Sequence, residues 1–152
     1  MIHIVDDDPR LIDVLSDLAR GFCFKTLQFT DPQAYLDYAA SAEYENPTAV
    51  FADVAMPEIN GFDMMHRVHA LHPTVRFVII SGQGHDVPED RRKACVYLLK
   101  PIFFDQLEKT FRHLRTCVEC GPTHALVVAW PDDREAFDDI PRACPFAQED
   151  NG

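Results

Sequence analysis

Short apolar runs alternate with helix-patterned stretches along most of this chain, and that rhythm is the strongest limit on what it can fold into. Ile2 to Val5 is a first strand. Asp8-Pro9 then supplies a cap and a proline suited to the first helical position, and Leu11, Ile12, Leu15 and Leu18 form a helical stripe that runs to Gly21. Phe24 to Phe29 reads as a second strand, and Asp31-Pro32 repeats the cap signal before an apolar face of Tyr35, Leu36 and Tyr38 to Ala40. Thr48 to Ala52 is a third strand ending on Asp53, followed by a turn from Met56-Pro57 to Asn60-Gly61 and a helix carrying Phe62, Met65 and Val68. Val75 to Ile80 is a fourth strand ending on Ser81, and Gly82-Gln83-Gly84 is a loop. Pro88 to Ala94 leaves room for only a short fourth helix. Val96 to Leu99 is a fifth strand ending at Lys100-Pro101, and Leu107, Phe111 and Leu114 mark a final helix ending near Val118. The expectation is an α/β fold with a doubly wound, five-stranded parallel sheet and helices on both faces.

Composition narrows the function. With 14 basic and 25 acidic residues the 152-residue chain carries a formal charge of −11, which repels nucleic acid phosphates. No stretch has the length of a membrane span, and the acidic turn at Asp6 is unlike a signal peptide, so a cytoplasmic protein with neither nucleic acid nor membrane partner is expected. The five cysteines, at 23, 95, 117, 120 and 144, are odd in number and scattered, unlike a secreted disulfide framework. The 47% hydrophobic content is ample for one core, expected over residues 1–118, with residues 119–152 an acidic, proline-containing extension of unknown role. Within that extension the apolar run Ala125 to Trp130 reads either as an added strand or as a partner-docking segment.

In an open parallel α/β sheet, ligands bind outside the carboxyl ends of the strands, and Asp6, Asp7, Asp53, Ser81 and Lys100 all lie at such ends. Like charges raise one another's pKa, so Asp6, Asp7 and Asp53 at one mouth call for a cation. A hard divalent ion such as Mg2+, which takes oxygen ligands and keeps several waters, suits carboxylates; with no histidine or cysteine at these strand ends, zinc does not. A carboxylate in such a field can attack a phosphoryl group, which makes Asp53 the candidate nucleophile. Lys100 would place a positive charge on the phosphoryl oxygens and Ser81 would donate a hydrogen bond to one of them.

The ordered set Val5-Asp6-Asp7-Asp8-Pro9, Asp53 with Met56-Pro57 and Gly61, Ile80-Ser81-Gly82, and Lys100-Pro101 resembles the receiver domains of bacterial response regulators over roughly residues 1–118. The resemblance implies a flavodoxin-like sheet in the chemotaxis regulator's strand order and a phosphoryl group received on Asp53 from a histidine kinase or phosphotransfer protein. It implies Mg2+ held by Asp7, Asp53 and the main-chain carbonyl of Ala55, with Asp6 acting through water. It also implies that Ser81 moves toward the phosphoryl group, that the Tyr97 ring changes rotamer with it, and that the Lys100-Pro101 bond is cis. Ala55 and Gln83 occupy positions that tune dephosphorylation in similar proteins.

The departures bear on output. The stretch from Ser81 to Lys100 is about three residues shorter than in similar sequences. Lys93 stands where glycine is common, and Ile102 replaces a frequent phenylalanine. The fourth-helix region is therefore expected to be shortened, and it helps form the usual output face, so the downstream partner and homodimerisation stay open. Two other readings remain: a degenerate receiver that binds partners without phosphorylation, and a magnesium phosphohydrolase with Asp53 as nucleophile, whose usual second carboxylate is replaced here by Ala55. Metal binding elsewhere is weakly supported. His66, His69 and His72 wind around a helix without a carboxylate partner, while Cys117, Cys120, His124 and Cys144 form no compact zinc motif.

Overall fold

A computed structural model describes residues 1–82, 94–119 and 127–129, with the side chains of 116–119 and 127–129 left aside. The chain order is β1 (Ile2–Val5), α1 (Pro9–Gly21), β2 (Thr26–Phe29), α2 (Pro32–Ala39), β3 (Ala49–Asp53), α3 (Gly61–Leu71), β4 (Phe77–Ser81), β5 (Val96–Leu99), α4 (Phe104–Glu119) and β6 (Val127–Ala129). The sheet order is β2-β1-β3-β4-β5-β6, with every pairing parallel. The five expected strands form the expected doubly wound sheet. A sixth strand joins its β5 edge, which realises the added-strand reading of the Ala125 to Trp130 run.

Local chemistry starts the helices where the sequence marks them. Asp8 accepts from the Arg10 amide (3.0 Å) and Asp31 from the Gln33 amide (2.9 Å), each with proline next in the helix. Asn60 caps α3 reciprocally: its side-chain oxygen accepts from the Asp63 amide (2.9 Å) and its Nδ2 donates to the Asp63 carboxylate (3.0 Å). Alternation along the strands sends side chains to two cores. Ile2, Ile4, Phe51, Val78, Ile80 and Leu98 meet Ile12, Leu15 and Ala19 of α1 and Leu107, Phe111 and Leu114 of α4. Val5, Val50, Ala52, Phe77, Ile79 and Tyr97 meet Tyr35 and Leu36 of α2 and Met64, Met65 and Val68 of α3.

The chain runs from β1 outward to β2 and then back across β1 to β3. This reversal leaves a crevice at the carboxyl ends of β1 and β3, where the following loops turn to opposite faces. The Lys100-Pro101 bond is cis, as expected. The expected fourth helix, Gln83 and Lys93 fall outside the described residues, as do Cys120, His124, Cys144 and the side chain of Cys117. Among the described residues, no helix is long and apolar enough to cross a membrane.

Candidate functional site

The crevice gathers its charged groups from separate strands. Val5 pairs with Ala52, so Asp6 and Asp53, the next residues on β1 and β3, arrive side by side. Both are almost fully buried, each 2% exposed. Lys100, just beyond β5, reaches across β4's end to place Nζ 2.7 Å from Asp53 Oδ1. That buried oxygen has no partner besides the ammonium among the described residues. The Lys100 side chain keeps 41% of its surface in solvent, so the pair forms the floor of an open mouth.

Asp6 is half satisfied. Its Oδ1 accepts from the Asp8 amide at 2.7 Å, while its buried Oδ2 has no hydrogen-bond partner among the described residues. Burial raises the Asp6 carboxyl to about 6, opposed by the Asp8 amide, raised further by Asp53, lowered by Lys100 and raised slightly by Asp7. Asp7 is exposed at the rim. Asp8, the third acid of the run, points its charge elsewhere: both its oxygens meet the Arg10 guanidinium at 3.0 Å. That hydrogen-bonded pairing holds the Asp8 carboxyl below its ordinary value.

These residues fit a magnesium ion. Among the described residues, Lys100 supplies the cation at a mouth that Asp6, Asp7 and Asp53 share, and the buried Asp6 Oδ2 there has no donor or cation of the kind a buried carboxylate requires. Among the described residues no three His, Cys, Asp or Glu side chains converge on one point. Magnesium retains waters and takes few protein ligands, which suits carboxylates at the solvent-open mouth that the Lys100–Asp53 pair floors.

The loop after β3 is shaped around Asp53. The Val54 carbonyl accepts from both the Met56 and Gly61 amides at 3.1 Å, folding the segment so that Ala55 stands exposed at the mouth. Glu58 adopts a left-handed φ of 64° to complete the turn. Gly61 then passes so close that a Cβ would lie 2.3 Å from the Asp53 carbonyl oxygen. The sequence marks Gly61 as a turn residue and as part of the receiver resemblance; the close approach itself arises because α3 and the end of β3 share one crossing, which no local signal reveals.

Ser81 is buried, its hydroxyl donates to the Gly82 carbonyl at 3.2 Å, and its own carbonyl accepts from the Lys100 amide at 2.7 Å. The ends of β4 and β5 are thereby tied together beneath the mouth. Tyr97 is buried with its ring 6.1 Å from that of Phe62 at the start of α3. The structure therefore unites Asp6, Asp53 and Lys100 directly, sets Asp7 and Ala55 at the rim, and places Ser81 and Tyr97 on the adjoining strands. Two of the three histidines of this stretch meet backbone carbonyls: His69 that of Val75 at 2.8 Å and His72 that of Ala39 at 2.7 Å.

Comparison with known proteins agrees with this geometry. Residues 2–112 match the response regulator receiver domain family. The chain is 32% identical over 110 residues to the transcriptional regulatory protein FixJ of Bradyrhizobium diazoefficiens, covering 72% of this chain and 49% of that protein. It is 28% identical over 128 residues to the response regulator protein TmoT of Ectopseudomonas mendocina, covering 80% and 54%. The chain thus spans about half the length of these curated relatives. Among solved structures, the REC domain of AraT from Geobacillus stearothermophilus superposes with a TM-score of 0.67 at 20% identity, covering 78% of this chain and 95% of that one. The FixJ-N structure superposes with a TM-score of 0.63 at 22% identity, covering 76% and 92%. Fold, strand-end chemistry and sequence similarity converge: the chain belongs to the response regulator receiver domain family of two-component systems.

Proposed function

We propose that the chain receives a phosphoryl group on Asp53 from a phosphohistidine of a histidine kinase or phosphotransfer protein, in a magnesium-dependent reaction. The observation that carries this reading is the buried Asp53 carboxylate held 2.7 Å from Lys100 at a mouth shared with the unpartnered Asp6 oxygen. Asp7, Asp53 and the Ala55 carbonyl would hold the ion, with Asp6 acting through water. When bound, Mg2+ supplies positive charge to the phosphoryl oxygens.

The Asp53 carboxylate attacks phosphorus, an O–P bond forms, the N–P bond of the donor breaks, and the imidazole nitrogen keeps that electron pair. Lys100, already at the carboxylate, is placed to exchange this partner for a phosphoryl oxygen, so its charge serves both states. The Ser81 hydroxyl leaves the Gly82 carbonyl to donate to the phosphoryl group, and Tyr97 on the neighbouring strand repacks against Phe62. Residues 1–118 form the receiver and residues 119–152 an extension. FixJ is a transcriptional regulatory protein by name, but the net charge of −11 supports output from this chain by protein contact or onward phosphotransfer.

Radiolabelled acetyl phosphate tests the chemistry. One phosphoryl group per chain with Mg2+, lost with EDTA and in Asp53→Asn, is the expected result. Labelling of Asp53→Asn at the wild-type rate refutes the assignment. Sustained turnover of phosphate esters would instead support the phosphohydrolase reading, and unchanged partner binding in Asp53→Ala would support the degenerate receiver.

A further inference from the structure

Every polar group of Asp8 is engaged. Its amide donates to Asp6 Oδ1 at 2.7 Å, its carbonyl accepts from the Leu11 and Ile12 amides at 3.1 and 3.2 Å, and its Oδ1 accepts from the Arg10 amide at 3.0 Å. The Arg10 guanidinium completes the set as a fork, with Nε on Oδ1 and Nη2 on Oδ2, each at 3.0 Å. Two aspartate turns therefore follow one another. Asp6 folds onto the Asp8 amide and spans Asp7, and Asp8 folds onto the Arg10 amide and opens α1.

The first of these turns shapes the mouth. Asp6 is tied to the sheet by its own amide, which donates to the Phe29 carbonyl at 3.1 Å. With Oδ1 held by Asp8, the buried Oδ2 is the oxygen left without a partner among the described residues. Asp7 is the residue around which the turn closes, so the direction in which its side chain leaves the backbone is fixed by the same bond. The placement of both carboxylates thus depends on where Asp8 stands.

Helix stability does not account for Arg10. A cation in the first turn opposes the helix dipole, and an ion pair as open as this one, with side chains 89% and 41% exposed, contributes little to folding. What the fork does is claim the Asp8 carboxylate. That carboxyl is held down chiefly by its hydrogen bonds to Arg10 and more weakly by the Lys100 ammonium. A released Asp8 carboxylate therefore has Lys100 to turn to, where it competes with Asp53 and drags on the amide that holds Asp6.

We propose that Arg10 is a positioning residue for the magnesium site: its guanidinium keeps the Asp8 carboxylate turned away from the mouth, and Asp8 in turn fixes the Asp6-Asp7 turn that presents carboxylates to the ion. The inference rests on the magnesium reading above. Lysine does not replace arginine here, because an ammonium cannot grip both oxygens of Asp8 in one plane.

Magnesium titration of the full-length chain, followed through the amide resonances of Asp7 and Asp8, supplies the test. Arg10→Gln and Arg10→Lys are each expected to weaken binding about threefold, less than a change at Asp6 because Arg10 is two hydrogen bonds removed from the ion. Charge alone predicts otherwise: loss of a cation beside the mouth tightens binding of a divalent cation, and lysine leaves it unchanged. Arg20→Gln removes the same charge, and an ion pair with Asp17, from the far end of α1, and is expected to leave the midpoint where it is. Asp8→Asn keeps the amide and a capping oxygen but not the charge that the fork grips, so adding Arg10→Gln to it should bring no further weakening. Unchanged or tighter binding in both Arg10 variants, with β1 and β3 amide shifts as in the wild type, overturns the role. So does a further loss from Arg10→Gln in the Asp8→Asn background, which would mean that Arg10 acts without Asp8. A wild-type chain whose amides ignore magnesium refutes the magnesium reading itself, and this inference with it.

Discussion

Two buried polar residues three positions apart, His3 in β1 and Asp6 just beyond its end, show how differently one sheet treats its two ends. His3 is fully buried beneath Tyr35, Tyr38 and Tyr44, whose rings lie edge-on at 5.7, 5.7 and 5.9 Å. Its Nδ1 meets the Tyr35 hydroxyl at 3.1 Å and its Nε2 has no hydrogen-bond partner among the described residues. Asp6 likewise has one oxygen bonded and one unpartnered. Both groups are pushed away from their charged forms, His3 down to about 4, chiefly by burial and secondarily by the N-terminal ammonium, and Asp6 up to about 6. The resemblance ends at the surroundings. His3 is enclosed by a rigid aromatic cluster and stays neutral, whereas Asp6 sits beside a second carboxylate and a half-exposed lysine at an open mouth. An unsatisfied group in a sealed core is a stability cost; the same defect beside ionised neighbours and solvent is a binding capacity.

Mutation at the two ends should separate these meanings most sharply. Asp53→Asn is expected to lower labelling by acetyl phosphate by more than about 10³-fold, while His3→Phe leaves the labelling rate within about twofold of wild type when both variants are folded. A comparable loss in His3→Phe would erase the distinction.

Next in size is the close crossing that frames the site. Gly61→Ala should destabilise the fold by roughly 3 kcal/mol in urea titration, because the obstruction at 2.3 Å is backbone and has no rotamer by which to yield. Wild-type stability in that variant would mean α3 is able to shift away from Asp53.

Acid titration distinguishes the pair by sign. The folded state favours neutral His3, so its contribution is complete above pH 6.5 and drains away as pH falls toward about 4. The folded state disfavours ionised Asp6, so that cost is present above about pH 6 and disappears as pH falls toward 3.8. In metal-free buffer, His3→Phe should therefore remove acid destabilisation worth on the order of 3 kcal/mol, and Asp6→Asn should make the acid loss steeper. Stability curves that run parallel to wild type in both variants would contradict the reading.

The smallest expected effect concerns the ion. Asp6→Asn should weaken Mg2+ binding about tenfold, measured as the magnesium concentration needed to raise the melting temperature. His3→Phe should leave that midpoint unchanged, and a shared shift would indicate that the metal response is general.

Much of this architecture is legible in the chain because its signals are local. Asp8-Pro9 and Asp31-Pro32 cap helices with atoms one or two residues away, and the apolar runs place each polar residue at a strand end. The acidic run is only partly legible: nothing in Asp6-Asp7-Asp8 says that the third carboxylate turns outward to Arg10 while the first is buried against Asp53. The role of Gly61, the tyrosine enclosure of His3 and the register of Val128 against Tyr97 each depend on segments far apart in sequence.

By itself, the sequence determined the succession of strands and helices seen among the described residues, the identity of the residues at the strand ends and the net charge of −11. These follow from periodicity, capping and composition, which act over a few residues or over the sum of them all. Only the tertiary structure decided that Lys100 sits 2.7 Å from Asp53, that one oxygen of Asp6 is left without a partner among the described residues, and that a sixth strand pairs with the β5 edge. Those outcomes depend on how separate crossovers pack on a twisted sheet, and packing distances are set by every layer at once.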